Sequence, residues 1–114
     1  MGLLRGTLVF AGVSAPVQGA VCHIRVQDVS RADAAAVVIA EATLTEVAAE
    51  ADGAELPFEL DVPELDRSAT YTLAAHVDVT ASGEVTSGDF LTTEHIPVSP
   101  DDLEKPRRVT ARRI

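Results

Sequence analysis

Apolar residues recur at every second position through most of this chain, the period of strands with one face buried. Leu4, Leu8 and Phe10 share parity, predicting a first strand over Gly6 to Phe10. From Ala20 to Val29 the alternation is clean: Ala20, Cys22, Ile24 and Val26 on one face, Val21, His23, Arg25 and Gln27 on the other. Leu56, Phe58, Leu60 and Val62 point one way from a further strand, and Pro57 within it signals an edge or a strand start. Thr70 to Thr80 is the clearest case, with Tyr71, Leu73, Ala75, Val77 and Val79 inward and Thr72, Ala74, His76 and Asp78 outward. Ser82-Gly83 reads as a hairpin turn into a returning strand over Val85 to Thr93, with Gly88 at a bulge. Ile96-Pro97-Val98 leads into a loop over Ser99 to Pro106, and Arg107 to Ile114 forms the final strand.

Residues 31–52 resist this reading. Ser30 with Asp33 resembles a capping box, Ala34-Ala35-Ala36 favours helix, and Gly53 would stop one. Against that, Val37, Val38, Ile39, Thr43, Thr45 and Val47 are β-branched and suit a strand. The residues alone leave both open.

Short strands at near-regular spacing predict an all-β fold, an antiparallel β-sandwich of about seven strands, immunoglobulin- or transthyretin-like in appearance. One such domain accounts for residues 1–114. The 46% of hydrophobic residues are mostly Ala, Val and Leu, with no Trp, one Tyr and three Phe. Small aliphatic side chains must therefore fill the core, around Phe58, Tyr71 and Phe90 as aromatic anchors.

Charge narrows the choice of partner. Residues 1–104 carry four basic and eighteen acidic side chains, a balance of −14, and residues 105–114 carry five basic ones, +5. An acidic body repels phosphate backbones, which argues against nucleic acid. The basic end reads as a strand whose arginines lie across an acidic sheet surface. Cys22 is the single cysteine, so no intrachain disulfide is available. The N-terminus has neither the apolar core of a secretory signal nor a lipobox, and no run is long enough to insert in a membrane. The expectation is a cytoplasmic protein as the sequence stands, or a cell-envelope protein if an export signal once preceded it.

Candidate chemistry is sparse. His23, His76 and His95 have no metal-ligand spacing. His23 and His76 would meet if their strands were neighbours, and Glu41 or Asp78 could then complete a metal site, but their outward parity favours solvated surface histidines. Cys22 faces inward with no base beside it, which suits a buried hydrophobe better than a nucleophile. Asp28, at a strand end, is expected to bind backbone amides of Ser30 to Asp33 and hold a turn. There is no nucleophile elbow, dinucleotide loop or phosphate-binding loop. The expectation is no catalytic, cofactor-binding or metal residue, no cofactor, and no enzyme.

The stretch Val26 to Glu41, with Asp28-Val29-Ser30, a small-residue loop and an aliphatic run ending in Ala40-Glu41, resembles small bacterial lipoproteins of the YbaY type. These are grouped with YscW-type pilot lipoproteins of type III secretion. Pro57-Phe58-Glu59-Leu60, Tyr71 to Val77, Phe90 to Thr93 and Ile96-Pro97-Val98 follow in the family's order, so the resemblance spans about residues 4–98. It implies a strand over Val37 to Val47, a turn near Asp52-Gly53, a β-sandwich and a non-enzymatic role. Pilot lipoproteins chaperone secretin subunits to the outer membrane. The function expected is a binding or interaction module, chaperone- or pilot-like for an envelope or secretion component, acting on a protein partner through a sheet edge or face. The alternative is a carrier of a small hydrophobic or carbohydrate ligand. Homodimerisation through a sheet edge is a further expectation.

Overall fold

The computed structural model describes residues 2–31, 33–94, 96–103 and 105–114; His95 lies outside them. The alternating segments form β1 (Gly2–Ala11), β2 (Val17–Asp28), β3 (Val37–Ala49), β4 (Glu55–Val62), β5 (Tyr71–Asp78), β6 (Phe90–Leu91), β7 (Pro97–Val98) and β8 (Arg107–Arg113). The open segment is thus strand, as the resemblance implies. β-branched residues along a half-buried ladder outweigh the helix propensity of the alanines just before it.

The expected antiparallel sandwich requires correction. The strands form one sheet in the order β3-β2-β5-β6-β8-β1-β4, with β7 beside β5. It curls until its two ends, β3 and β4, lie against each other, giving a nearly closed, flattened barrel of 42 × 30 × 20 Å. The strands are mixed, because β8 runs parallel to β1 from Gly6↔Arg107 to Ala11↔Arg112. Alternation specifies which face is buried, but not which neighbour a strand takes or in which direction.

Inward parity is as read on β1, β2, β4 and β5. Leu4, Leu8, Phe10, Ala20, Cys22, Ile24, Val26, Phe58, Leu60, Val62, Leu73 and Val77 are all buried. Phe10, absent from the expected anchors, packs edge-on against Phe90 with ring centroids 5.1 Å apart. On β3 the inward set Ala40, Ala42, Leu44 gives way to Val47 and Ala49. The change of parity falls at Glu46, whose φ of 54° places it in the left-handed region. Gly19 (φ 67°) and Glu46 sit at two successive shifts of the β2–β3 register, the first adding a residue to β2 and the second adding one to β3.

The predicted hairpin at Ser82-Gly83 is also corrected. Of the predicted return strand only Phe90–Leu91 pairs with β5, and the residues before it fold into a loop over the outer end of that strand. The 99–106 loop holds a 3-10 turn, Pro100–Asp102, in which the Asp102 carboxylate accepts from the Ser99 amide and hydroxyl at 2.7 and 3.0 Å.

Candidate partner-binding seam

β3 and β4 are consecutive in the chain, yet they share no ladder. The turn between them docks elsewhere. The Gly53 amide donates to the Phe10 carbonyl at 2.8 Å, and Phe10 donates to Ala54 at 2.9 Å. The Asp52 carboxylate accepts from Gly12 at 2.6 Å. These bonds commit β4 to β1 from its first residue and leave the outer edges of β3 and β4 facing each other unpaired. Pro57, read as an edge signal, sits on β4, which is an edge strand.

A groove of about 510 Å³ opens along this seam, lined by Leu44 of β3, Gly6 of β1, Pro57 and Phe58 of β4, and Pro106. Arg5 and Glu59, opposed in register, stand at its rim. The Phe58 ring, 4% exposed at the groove floor, packs over Gly6, which has no side chain. A Cβ there would lie 2.7 Å from the ring and 2.6 Å from the Arg107 carbonyl oxygen. Val37 and Val38, 61% and 46% exposed, continue the apolar character along β3. Of the described acidic residues only Glu59 lines the groove; Glu46 on β3 and Asp61 on β4 are exposed two positions beyond Leu44 and Glu59. A larger hollow of about 750 Å³ lies where β1 begins, but the charged Arg5, Asp101 and Lys105 line much of it. Desolvating an apolar segment is more favourable at the seam.

The remaining candidate residues hold the fold. Asp28 accepts from the Ser30 amide at 2.9 Å, and the Ser30 hydroxyl accepts from Thr70 at 2.9 Å, so the expected turn role is met. The bonds from Ser30 hold the Asp28 carboxyl below its ordinary value. Glu41 is engaged by Arg25. Cys22 is fully buried, and that burial pushes its thiol up to about 12. Native protein at pH 8 is therefore expected to resist a thiol-reactive dye that labels the urea-unfolded chain within minutes; comparable rates would refute this burial.

Asp78, read as outward and solvated, is 1% exposed because the 79–89 loop covers it. Its oxygens accept from the Ser82 and Gly83 amides at 3.2 and 2.7 Å. Asp89, missed in the sequence, is wholly buried. Its Oδ1 accepts from Val79 at 3.0 Å; its Oδ2 accepts from Thr86 at 3.0 Å and binds His76 Nε2 at 2.8 Å. Burial opposes its ionisation, but the bonds from His76, Thr86 and Val79 prevail and hold the carboxyl below the usual range. Its signal was the polar, glycine-punctuated run Ser82 to Asp89, which suits a carboxylate-pinned loop better than a strand.

The model of the type III secretion system lipoprotein chaperone family (YscW) matches residues 2–109. The chain belongs to the YscW family. A pilotin from the type II secretion system of Vibrio cholerae, described as an alternative pilotin, has the same fold. The two chains superpose with a TM-score of 0.74 at 25% identity, over 98% of this chain and 96% of that one. No curated protein sequence matches. A YscW-family chain with a pilotin's fold has a chaperone-like, non-enzymatic role in protein interaction. Among the described residues, no helix is long and apolar enough to cross a membrane.

Proposed function

We propose that this YscW-family protein is a pilot for an outer-membrane secretin of a bacterial secretion system, acts in the cell envelope, and holds a segment of that subunit in the β3–β4 seam. The observation that carries the reading is the unladdered seam, in a chain that matches the chaperone family over residues 2–109. Two facing strand edges offer backbone donors and acceptors, and Leu44, Pro57 and Phe58 offer an apolar floor. Exposed Glu46 and Asp61, further along β3 and β4, favour a segment that carries Lys or Arg beyond its apolar residues.

The carrier alternative has less support. Leu4, Leu8, Phe10, Ile24, Val26, Val77 and Phe90 are at most 1% exposed and fill the space between the two halves of the sheet. An edge-to-edge homodimer would use the same strands, and sedimentation of the isolated protein separates the two uses: the pilot reading expects a monomer.

The test is calorimetric titration with a purified secretin subunit of the same organism. Wild-type protein should bind with one-to-one stoichiometry. Leu44→Asp should weaken binding at least about tenfold, a loss of about 1.4 kcal/mol, in protein that circular dichroism shows to be folded. Undiminished binding by a folded Leu44→Asp variant would remove the seam from the account.

A further inference from the structure

His23 and His76 are directly opposed across the β2–β5 ladder, and their ring centroids are 6.1 Å apart. Each ring is tied on its far side. His23 Nδ1 lies 3.4 Å from Thr43 Oγ1 on β3, the strand beyond β2. His76 Nε2 lies 2.8 Å from Asp89 Oδ2, next to β6, the strand beyond β5. The two nitrogens of an imidazole point to nearly opposite sides of the ring. Tying His23 Nδ1 toward β3 turns its Nε2 toward β5, and tying His76 Nε2 toward β6 turns its Nδ1 toward β2. The two free nitrogens therefore converge on the space between the strands, in a pocket of about 170 Å³ that also includes Arg25, Gln27 and Thr92.

We propose that His23 Nε2 and His76 Nδ1 form a binding site for one divalent transition-metal ion of the zinc, nickel or copper type. Imidazole nitrogens select these ions over magnesium and calcium. With metal–nitrogen bonds of ~2.0–2.1 Å, two rings on one ion have centroids roughly 5.2 Å apart at a tetrahedral angle and roughly 6.4 Å apart in line. The observed 6.1 Å lies within that span. Asp89 supplies what a ligating histidine requires behind it: a carboxylate that takes the far N–H, fixes the tautomer and raises the basicity of the near nitrogen. Thr43 plays the weaker equivalent role behind His23. Arg25, the adjacent cation, is engaged by Glu41, which offsets its repulsion. Pocket solvent completes the coordination, and the bound ion clips β2 to β5 on the face away from the core.

The carboxylates make a competing group. Donor atoms of His76, Asp78 and Asp89 lie within 4.8 Å of one another. However, every oxygen of Asp78 and Asp89 accepts a bond from a loop amide or from His76, and metal binding there would have to break the loop.

Untagged protein should be titrated with zinc sulfate by calorimetry at pH 7.5, and with nickel sulfate while the histidine proton resonances are followed. One ion should bind per chain, raise the melting temperature, and selectively broaden the resonances of His23 and His76. His23→Gln changes an outward-facing side chain, should fold as the wild type does, and should weaken binding at least about tenfold. Asp78→Asn should bind like wild type. Absence of saturable binding, undiminished binding by His23→Gln, or loss of binding by a folded Asp78→Asn would each overturn the assignment.

Discussion

Asp89→Ala is expected to cost about 3 kcal/mol or more, because it removes a buried acceptor shared by three donors. The side chain is wholly buried and satisfies two backbone amides and the His76 ring. Deleting it strands all three donors, each at about 1–3 kcal/mol if left unpaired. The loop then opens, and with it the bonds that tie Gly88 and Asp89 to Ile114 at 2.7 and 2.9 Å. Urea unfolding should show the lowered midpoint, and amide exchange should show residues 79–89 losing protection first. A loss below about 1 kcal/mol, the level of an ordinary net hydrogen bond, would mean that the carboxylate is not the pin. Because the folded carboxyl titrates below its unfolded value, its contribution is complete above the unfolded Asp value of ~3.9 and is lost as pH falls through the folded one. Wild-type stability should therefore fall more steeply on acidification than that of Asp89→Asn.

Gly6→Ala is the second large expectation, about 2–3 kcal/mol of overpacking. The added Cβ meets two groups of different stiffness. The Phe58 ring, 2.7 Å away, can rotate toward the seam, whereas the Arg107 carbonyl, 2.6 Å away, belongs to the parallel β1–β8 ladder and moves only if the strands part. Adding Phe58→Leu should therefore recover part of the loss but not all of it. Full recovery would place the entire strain on the ring, and no loss in Gly6→Ala alone would contradict the close approach. The same substitution pushes Phe58 into the groove, so it should also weaken partner binding in protein that remains folded.

Much of this was legible in the sequence because alternation reports burial directly. The inward sets on β1, β2, β4 and β5 followed from parity, and Pro57 marked an edge. Asp28 followed from local Asx-turn chemistry, which needs only the residues two positions on. Long-range choices were not legible. The parallel return of β8 to β1 and the near-closure at β3 and β4 depend on where turns dock, such as Gly53 on Phe10, and no local pattern carries that information. The loop before β6 was misread because Val85 and Phe90 suggested a strand, while the decisive interaction runs from Asp89 back to Val79 and His76. The meeting of His23 and His76 was foreseeable only on condition that β2 and β5 were neighbours, which they are. The carboxylate behind His76 could not be foreseen while Asp89 was placed in a strand.

The seam is the centre of the functional account, and amide hydrogen exchange of the protein with and without a purified secretin subunit tests it most directly. The account predicts new protection on the outer edges of β3 and β4, strongest from Val37 to Leu44 and across Pro57 to Asp61, with the β2–β5 ladder unchanged. Protection confined to the hollow beside Leu3 and Lys105, or to the outer face of β2 and β5, with β3 and β4 exchanging as in the free protein, would contradict it.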